Sequence, residues 1–390
     1  MNRTTSISTV RATCRTNVSA ASGTSHQQGA PGGAFAARLA VAAALGLTAL
    51  AGACVAQADD ALPAVSVGAG MRTGFASTKP DGGNSSNDFD LDSVRLYVSG
   101  SVTNDIKFTF NTEYTGDTGS GDNTIEVMDA IARFEFSDEL NIWAGRFIPP
   151  SDRADLHGPY YANEWSSYID GVQDRYASVA VGRDDGAAYW GQFFNDMLSV
   201  SAGLFSIPAS FGSGHVVEAE RVQIDLWDPE KGYYVNGTYY GDKDILALGV
   251  AAQQLRSKNA YSADFLMEKK IGDLGMVSVQ GEYAKYEFGG EAGNKSDGAF
   301  GLVSYLFPQV IGIGKFEILA KYAKTTYDFD DAEGDLLGSV GQKTDIAEIG
   351  YIIKEFNARI SLFYNKVQFD TNVDGLTSYR VFGVGLQLQM

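Results

Sequence analysis

From about residue 60 the chain alternates apolar and polar positions with period two, the pattern of strands with two unlike faces. In Lys107-Phe108-Thr109-Phe110-Asn111-Thr112-Glu113-Tyr114, aromatic and polar side chains take turns. Leu246, Leu248, Val250 and Ala252 alternate with Ala247, Gly249, Ala251 and Gln253. Phe316, Ile318, Ala320 and Tyr322 alternate with Lys315, Glu317, Leu319 and Lys321. Phe356, Ala358, Ile360, Leu362 and Tyr364 repeat the pattern, as do Phe382, Val384, Leu386, Leu388 and Met390. Helical periodicity with caps is scarce. About eighteen candidate strands begin near residues 64, 92, 105, 124, 139, 172, 186, 197, 219, 232, 244, 260, 274, 297, 315, 343, 356 and 378. Bacterial barrels favour even numbers, so sixteen is expected if one pair lies outside the wall.

The connections support an all-β transmembrane antiparallel barrel. Thr103-Asn104-Asp105, Arg183-Asp184-Asp185-Gly186, Gly241-Asp242-Lys243-Asp244 and Lys354-Glu355 are expected as tight hairpins. Longer acidic, Gly-rich segments, 77–91, 116–123, 288–297 and 328–342, lie between them, with 207–218 as the one exception. Long loops at one end and short turns at the other suit a membrane barrel. In hydrocarbon every backbone amide must be paired, which leaves helices and closed barrels. The alternative is a secreted soluble β-protein with one buried face per strand.

The first 58 residues change the composition. Arg38 precedes an apolar run from Leu39 to Ala53, short for a membrane span but suited to a signal-peptide core. Ala56-Gln57-Ala58 is an A-x-A site, and cleavage is expected after Ala58. Cys54 follows Ala51-Gly52-Ala53, where a lipobox would carry Leu at position 51. The Ser/Thr-rich stretch 1–33 reads as extra targeting sequence or a start codon placed too early. Residues 59–390 form the expected single barrel domain, 332 residues with 26 basic and 48 acidic side chains, hence a net charge of −22. Both cysteines, Cys14 and Cys54, leave with the signal. An acidic surface disfavours nucleic acid as a partner.

If the apolar set faces lipid, Arg95, Lys107, Arg133, Lys321 and Arg359 face a lumen together with Glu113, Asp129, Glu135, Asp225, Glu282, Glu317 and Glu348. Tyr114, Tyr286, Tyr322 and Tyr364 are expected in interfacial girdles. A wide barrel cannot fill its centre with wall side chains, so a mixed lumen implies a water-filled channel for small hydrophilic solutes and ions; a further alternative is a structural or adhesive barrel with a closed lumen, whose outer loops bind a partner. Opposed charge rows would discriminate ions, while a wall ion pair would select nothing. Segment 148–171, IPPSDRADLHGPYYANEWSSYIDG, is too long for a hairpin loop. It is expected to fold inward as a constriction, with Asp152, Arg153 and Asp155 at the narrowest point. The alternative lays it over the rim.

The segment Ile142-Trp143-Ala144-Gly145-Arg146-Phe147-Ile148-Pro149-Pro150, then Gly182-Arg183-Asp184-Asp185-Gly186 and the closing Val384-Gly385-Leu386-Gln387-Leu388-Gln389, resemble the phosphate-selective porin O and P family of Gram-negative outer membranes. The resemblance covers most of the layout through short motifs, and Arg146 of the first motif joins the expected pore-lining set. It implies a homotrimeric sixteen-stranded porin of the cell outer membrane, with inward loops and an anion-preferring pore. The net charge of −22 departs from the family's basic lumens, and Met390 stands where family barrels end in the Phe read by the barrel assembly machinery. Lipid and lipopolysaccharide are the expected surroundings.

Other chemistry is thin. Only His157 and His215 remain after processing, with no Cys, so a zinc set lacks ligands. No cofactor and no enzymatic activity are expected; His157 beside Asp155 is the one hint of a serine-type site. Asp328, Asp330, Asp331, Glu333 and Asp335 could hold Ca²⁺ but miss EF-hand spacing, and a solvated loop is the plainer reading.

Overall fold

A computed structural model describes residues 64–116, 123–172, 182–206, 215–287, 295–330, 336–373 and 375–390. Sixteen strands form one closed antiparallel barrel in which each pairs with its sequence neighbours and β1 closes on β16. They are β1 (Val65–Pro80), β2 (Ser86–Ser101), β3 (Ile106–Gly116), β4 (Asn123–Glu135), β5 (Asn141–Phe147), β6 (Asp184–Phe193), β7 (Leu198–Ser206) and β8 (Val216–Asp225). The second half is β9 (Ile245–Leu255), β10 (Lys258–Lys270), β11 (Met276–Tyr286), β12 (Lys295–Ile311), β13 (Gly314–Asp330), β14 (Leu336–Lys354), β15 (Ala358–Val373) and β16 (Leu376–Gln389). The seam runs from Gly70↔Gln389 to Pro80↔Tyr379. Met390 continues it, exchanging both backbone hydrogen bonds with Ala69 at 2.9 and 3.0 Å.

The alternation is the reason the sheet closes with apolar side chains outward. Val250 is 56% exposed, Tyr322 51% and Phe382 52%. Such a belt would be a liability in water and is what hydrocarbon solvates. The facing residues of β15, Arg359, Ser361, Phe363, Asn365 and Val367, are all buried inside.

Two candidate strands are not in the wall. The one near 232 belongs to 226–244, the connection from β8 to β9, which enters the barrel from the turn end and buries Tyr233, Val235 and Tyr240. The one near 172 starts no strand in its described residues; 173–181 lie outside them. Gly241–Asp244 closes that inward connection rather than making a tight hairpin, and Asp184 opens β6. Segments 77–91 and 328–342 are mostly strand: Thr78 still pairs Ser86, and Phe329 pairs Gly338. Strands so long project polar hairpins beyond the apolar belt. The expected signal segment 1–58 and Asp331, Glu333 and Asp335 lie outside the described residues.

The core sits within the barrel, between the wall and the chain folded into it. Trp143, Phe147, Phe205 and Tyr233 form its centre. The Trp143 and Tyr233 rings lie 4.8 Å apart, and Phe147 and Phe205 5.2 Å.

Candidate pore and its constriction

Between β5 and β6 the chain folds into the lumen. Pro149-Pro150 lead it off the wall, and a helix, α1 (Arg153–Tyr161), follows. Asp152 caps α1 by accepting from the Asp155 N–H at 2.8 Å. Gly158 breaks the helix at φ 60°, a left-handed conformation that favours glycine, and Pro159 follows.

Charged wall residues hold this segment by its backbone. Arg359 donates to the carbonyls of Ala162 and Asn163 at 2.8 and 2.9 Å. Arg72 reaches Pro159 O, donates to Trp165 O at 2.6 Å and lies 4.1 Å over the Trp165 ring. Arg221 takes Ser151 O at 2.9 Å, and Gln387 takes Tyr160 O at 2.9 Å. Glu348 accepts from Trp165 N at 2.7 Å, and Glu282 from Ala154 N at 3.3 Å. Lys321 bridges Glu164 at 2.6 Å and Asp170 at 2.7 Å. Trp165 stacks on Phe363 at 6.3 Å over Gly385, whose missing side chain leaves room for the indole.

The second inward segment, 226–244, meets the first in the lumen. Gly237 N donates to Tyr161 O at 2.9 Å, and a Cβ at Gly237 would stand 2.9 Å from Asn163 N. Arg153, wholly buried, makes two hydrogen bonds to Glu230 at 2.9 and 2.5 Å and one to Asn236 O at 2.9 Å. Glu230 also accepts from Gln223 at 2.8 Å and from the Tyr239 hydroxyl at 2.7 Å. Asp264, 3.5 Å from Arg153, is held by Arg221 at 2.6 and 2.9 Å. Glu268 accepts from Tyr239 N, Gly241 N and Thr238 Oγ1 at 2.7–2.9 Å. Buried charges need such partners. Here they weld two backbone segments that have no strand partner.

Every charged residue expected in the lumen from the alternation lies on the inner face. Most are occupied: Arg95 pairs Glu113 at 2.8 Å and lies 4.7 Å over Tyr160, while Lys321 and Arg359 grip the first inward segment. Lys107 and Arg133 share Glu135, at 2.8 and 3.5 Å, and remain partly exposed. Around them on β2–β4 lie Ser99, Ser101, Thr109 and Asn111, also partly exposed. Asp152 and Asp155 sit with Arg153 inside the barrel; Asp155 accepts from Ser151 at 2.9 Å and Asp152 from the Tyr286 hydroxyl at 2.9 Å.

Two residues depart from expectation. Arg146 shares the outer face of β5 with Ile142 and Ala144 and pairs Asp185 at 2.6 Å, so it leaves the pore-lining set. Tyr286 is buried inside, on the same face of β11 as Glu282, so it leaves the girdle. Arg72, Arg221, Asp264 and Glu268 were not singled out by sequence, although face parity marks each: Arg221 follows inward Val217 and Ala219 by two-residue steps. Glu230 had no such signal, because it lies outside any strand.

On the first inward segment, His157 and Asp152 are shifted in opposite directions. Burial drives the His157 imidazole down to about 4, against the pull of Glu164. Burial lifts the Asp152 carboxyl to about 6, against the hydrogen bonds from Asp155 and Tyr286.

Known proteins agree with this architecture. The family profile described as phosphate-selective porin O and P matches residues 65–268, just over half of the chain. No curated protein matches the sequence. Among solved structures, Pseudomonas putida OprB at high pH is 10% identical, with a TM-score of 0.56 over 84% of this chain and 94% of that one. The anion-selective porin from Comamonas acidovorans is 13% identical, with a TM-score of 0.55 over 84% and 100%. Salmonella typhi OmpF in complex with daunomycin is 14% identical, with a TM-score of 0.54 over 83% and 97%. Those likenesses carry the fold, and the profile carries the family. The chain belongs to the phosphate-selective porin O and P family and is a porin of the outer membrane, a sixteen-stranded barrel around a channel.

Proposed function

We propose that the conducting route is a lane along β2–β4, walled on its other side by the two inward segments, and that it passes small hydrophilic solutes by passive diffusion with weak charge selection. One observation carries this reading. Most inner-face charges elsewhere are buried against the inward segments or paired within the wall, whereas Lys107, Arg133 and Glu135 keep 31%, 24% and 16% of their side-chain surface exposed. Ser99, Ser101, Thr109 and Asn111 add a hydroxyl and amide lining that hydrates a solute without holding it. Arg95, Lys321, Arg359, Arg153, Asp152 and Asp155 act in this reading by fixing the constriction's shape.

A second reading, preference for anions including phosphate, is favoured by the local ratio of two bases to one acid at Lys107, Arg133 and Glu135. The anion-selective porin from Comamonas acidovorans shares the fold and lends that reading analogy. The wider reading includes export by the segment 1–58 with cleavage after Ala58, assembly as a homotrimer, insertion by the barrel assembly machinery, and no enzymatic activity. Reversal potentials across a salt gradient in planar bilayers test it. Steady ohmic steps with a small reversal potential are expected. A strong anion potential with block by inorganic phosphate would establish the second reading, and absence of conductance would refute both.

A further inference from the structure

The outer wall carries a second pattern, above the belt rather than inside the pore. On four strands an aromatic ring is followed, two residues toward the loop end and on the same outward face, by a cation. The pairs are Tyr283 and Lys285, Tyr322 and Lys324, Tyr364 and Lys366, and Phe382 and Arg380. Two residues along a strand are about 6.6 Å, roughly the step from a ring at the interface to the headgroup layer.

Register brings these cations together. Lys366 lies opposite Arg380, and Arg380 opposite Lys79, so three consecutive strands present like charges side by side. Lys343 stands opposite Lys324 one strand further on. Like charges directly opposed across a sheet are destabilising. Asp345 lies across from Lys366 and Asp297 across from Lys285, and Lys285 comes within 3.9 Å of Glu287. Among the described residues none of Lys79, Lys324, Lys343, Lys366 or Arg380 forms an ion pair. At the turn end, by contrast, Lys269 is satisfied by Asp244 at 2.5 Å and lies 4.8 Å over Trp227.

We propose that the band Lys79, Arg380 and Lys366, extended by Lys343 and Lys324, docks phosphate-bearing lipid headgroups of the outer leaflet, with the rings below seating the acyl chains. The charge complementarity is specific. Lys79, Arg380 and Lys366 stand in one row with Asp345 as the carboxylate across from it, so the row keeps a surplus of positive charge for anions at headgroup depth. The inference rests on the lipid-facing outer wall and is independent of what the pore conducts.

The test uses the purified, refolded protein and two probes: lipid A with both phosphates, and the same lipid dephosphorylated. Binding is read by native mass spectrometry and by the rise in unfolding temperature in detergent. Phosphorylated lipid A is expected to bind and the dephosphorylated probe to bind much more weakly. Each cation near a charged headgroup contributes about fivefold in affinity, so Lys79→Gln, Lys366→Gln and Arg380→Gln together should weaken phosphorylated lipid A by about a hundredfold. Lys269→Gln with Lys354→Gln, at the opposite end, should leave binding unchanged. Heat-modifiable gel mobility and unchanged single-channel current would show that the triple variant is a folded pore, which separates this test from the channel reading. A triple variant within about twofold of wild type, or equal binding of the two probes, would overturn the proposal.

Discussion

Glu230→Gln isolates the weld between the two inward segments. The carboxylate takes two hydrogen bonds from Arg153 at 2.9 and 2.5 Å, one from Gln223 at 2.8 Å and one from Tyr239 at 2.7 Å. Its neutral isostere keeps the shape and leaves a fully buried guanidinium with Asp264, 3.5 Å away, as its remaining carboxylate. Breaking one side of a buried ion pair costs about 3–5 kcal/mol. That shifts the balance between seated and displaced segments by a factor of roughly 10²–10⁴. In planar bilayers the variant should show larger or noisier single-channel currents than wild type. Replacing both partners, Arg153→Met with Glu230→Met, removes the orphaned charge and should recover much of the quiet state. Current and noise in Glu230→Gln identical to wild type would refute the view that this pair holds the constriction.

Three further outcomes follow. His157 and Asp152, both on the first inward segment, oppose each other in pH. His157, lowered to about 4, makes seating progressively worse as pH falls from about 6.5 to 4, because the freed imidazole gains a proton that the buried one resists. Asp152, raised to about 6, makes seating better as pH falls from about 6 toward 3.8. Each taken alone amounts to about 3 kcal/mol. Asp152→Asn should open on acidification and His157→Asn should close; the same sign in both variants would contradict the assignment. Gly237→Val, which places a branched side chain against Asn163 N and the Ala162 Cα, should separate the segments and raise conductance, read from single-channel steps. Lys107→Ala with Arg133→Ala should move the reversal potential toward cations without changing folding, since both side chains are partly exposed.

The wall was legible because lipid imposes one requirement on every outward position, and Leu248, Val250, Ile318, Tyr322 and Phe382 meet it in unbroken alternation. Parity then placed Arg95, Lys107, Arg133, Lys321 and Arg359 inside. Parity with Glu282 also sufficed to move Tyr286 inward, and parity with Ala144 to move Arg146 outward. The motif resemblance and the ring chemistry had pulled those two the other way. What was not legible depends on partners distant in sequence. Tyr233-Tyr234-Val235 has the aromatic and β-branched composition of a strand, but its neighbourhood is fixed by Arg153 and Glu268 rather than by a ladder. The hairpin ends, 77–80 and 328–330, rise above the hydrocarbon, where nothing demands apolar alternation, and so they resembled loops. The anchoring role of the lumen charges was equally hidden, since sequence shows which way Arg359 points but not that the carbonyls of Ala162 and Asn163 await it.

The most direct test of the account is the single-channel conductance of the wild-type protein beside a variant in which residues 231–241 are replaced by a short Gly-Ser turn. This segment, bonded to the first through Gly237 N and Tyr161 O, is the part of the chain that narrows the water-filled pore. Wild type should give small, steady steps and the variant distinctly larger ones, with both proteins folded by heat-modifiable mobility. Equal steps from the two, or no conductance from either, would contradict it.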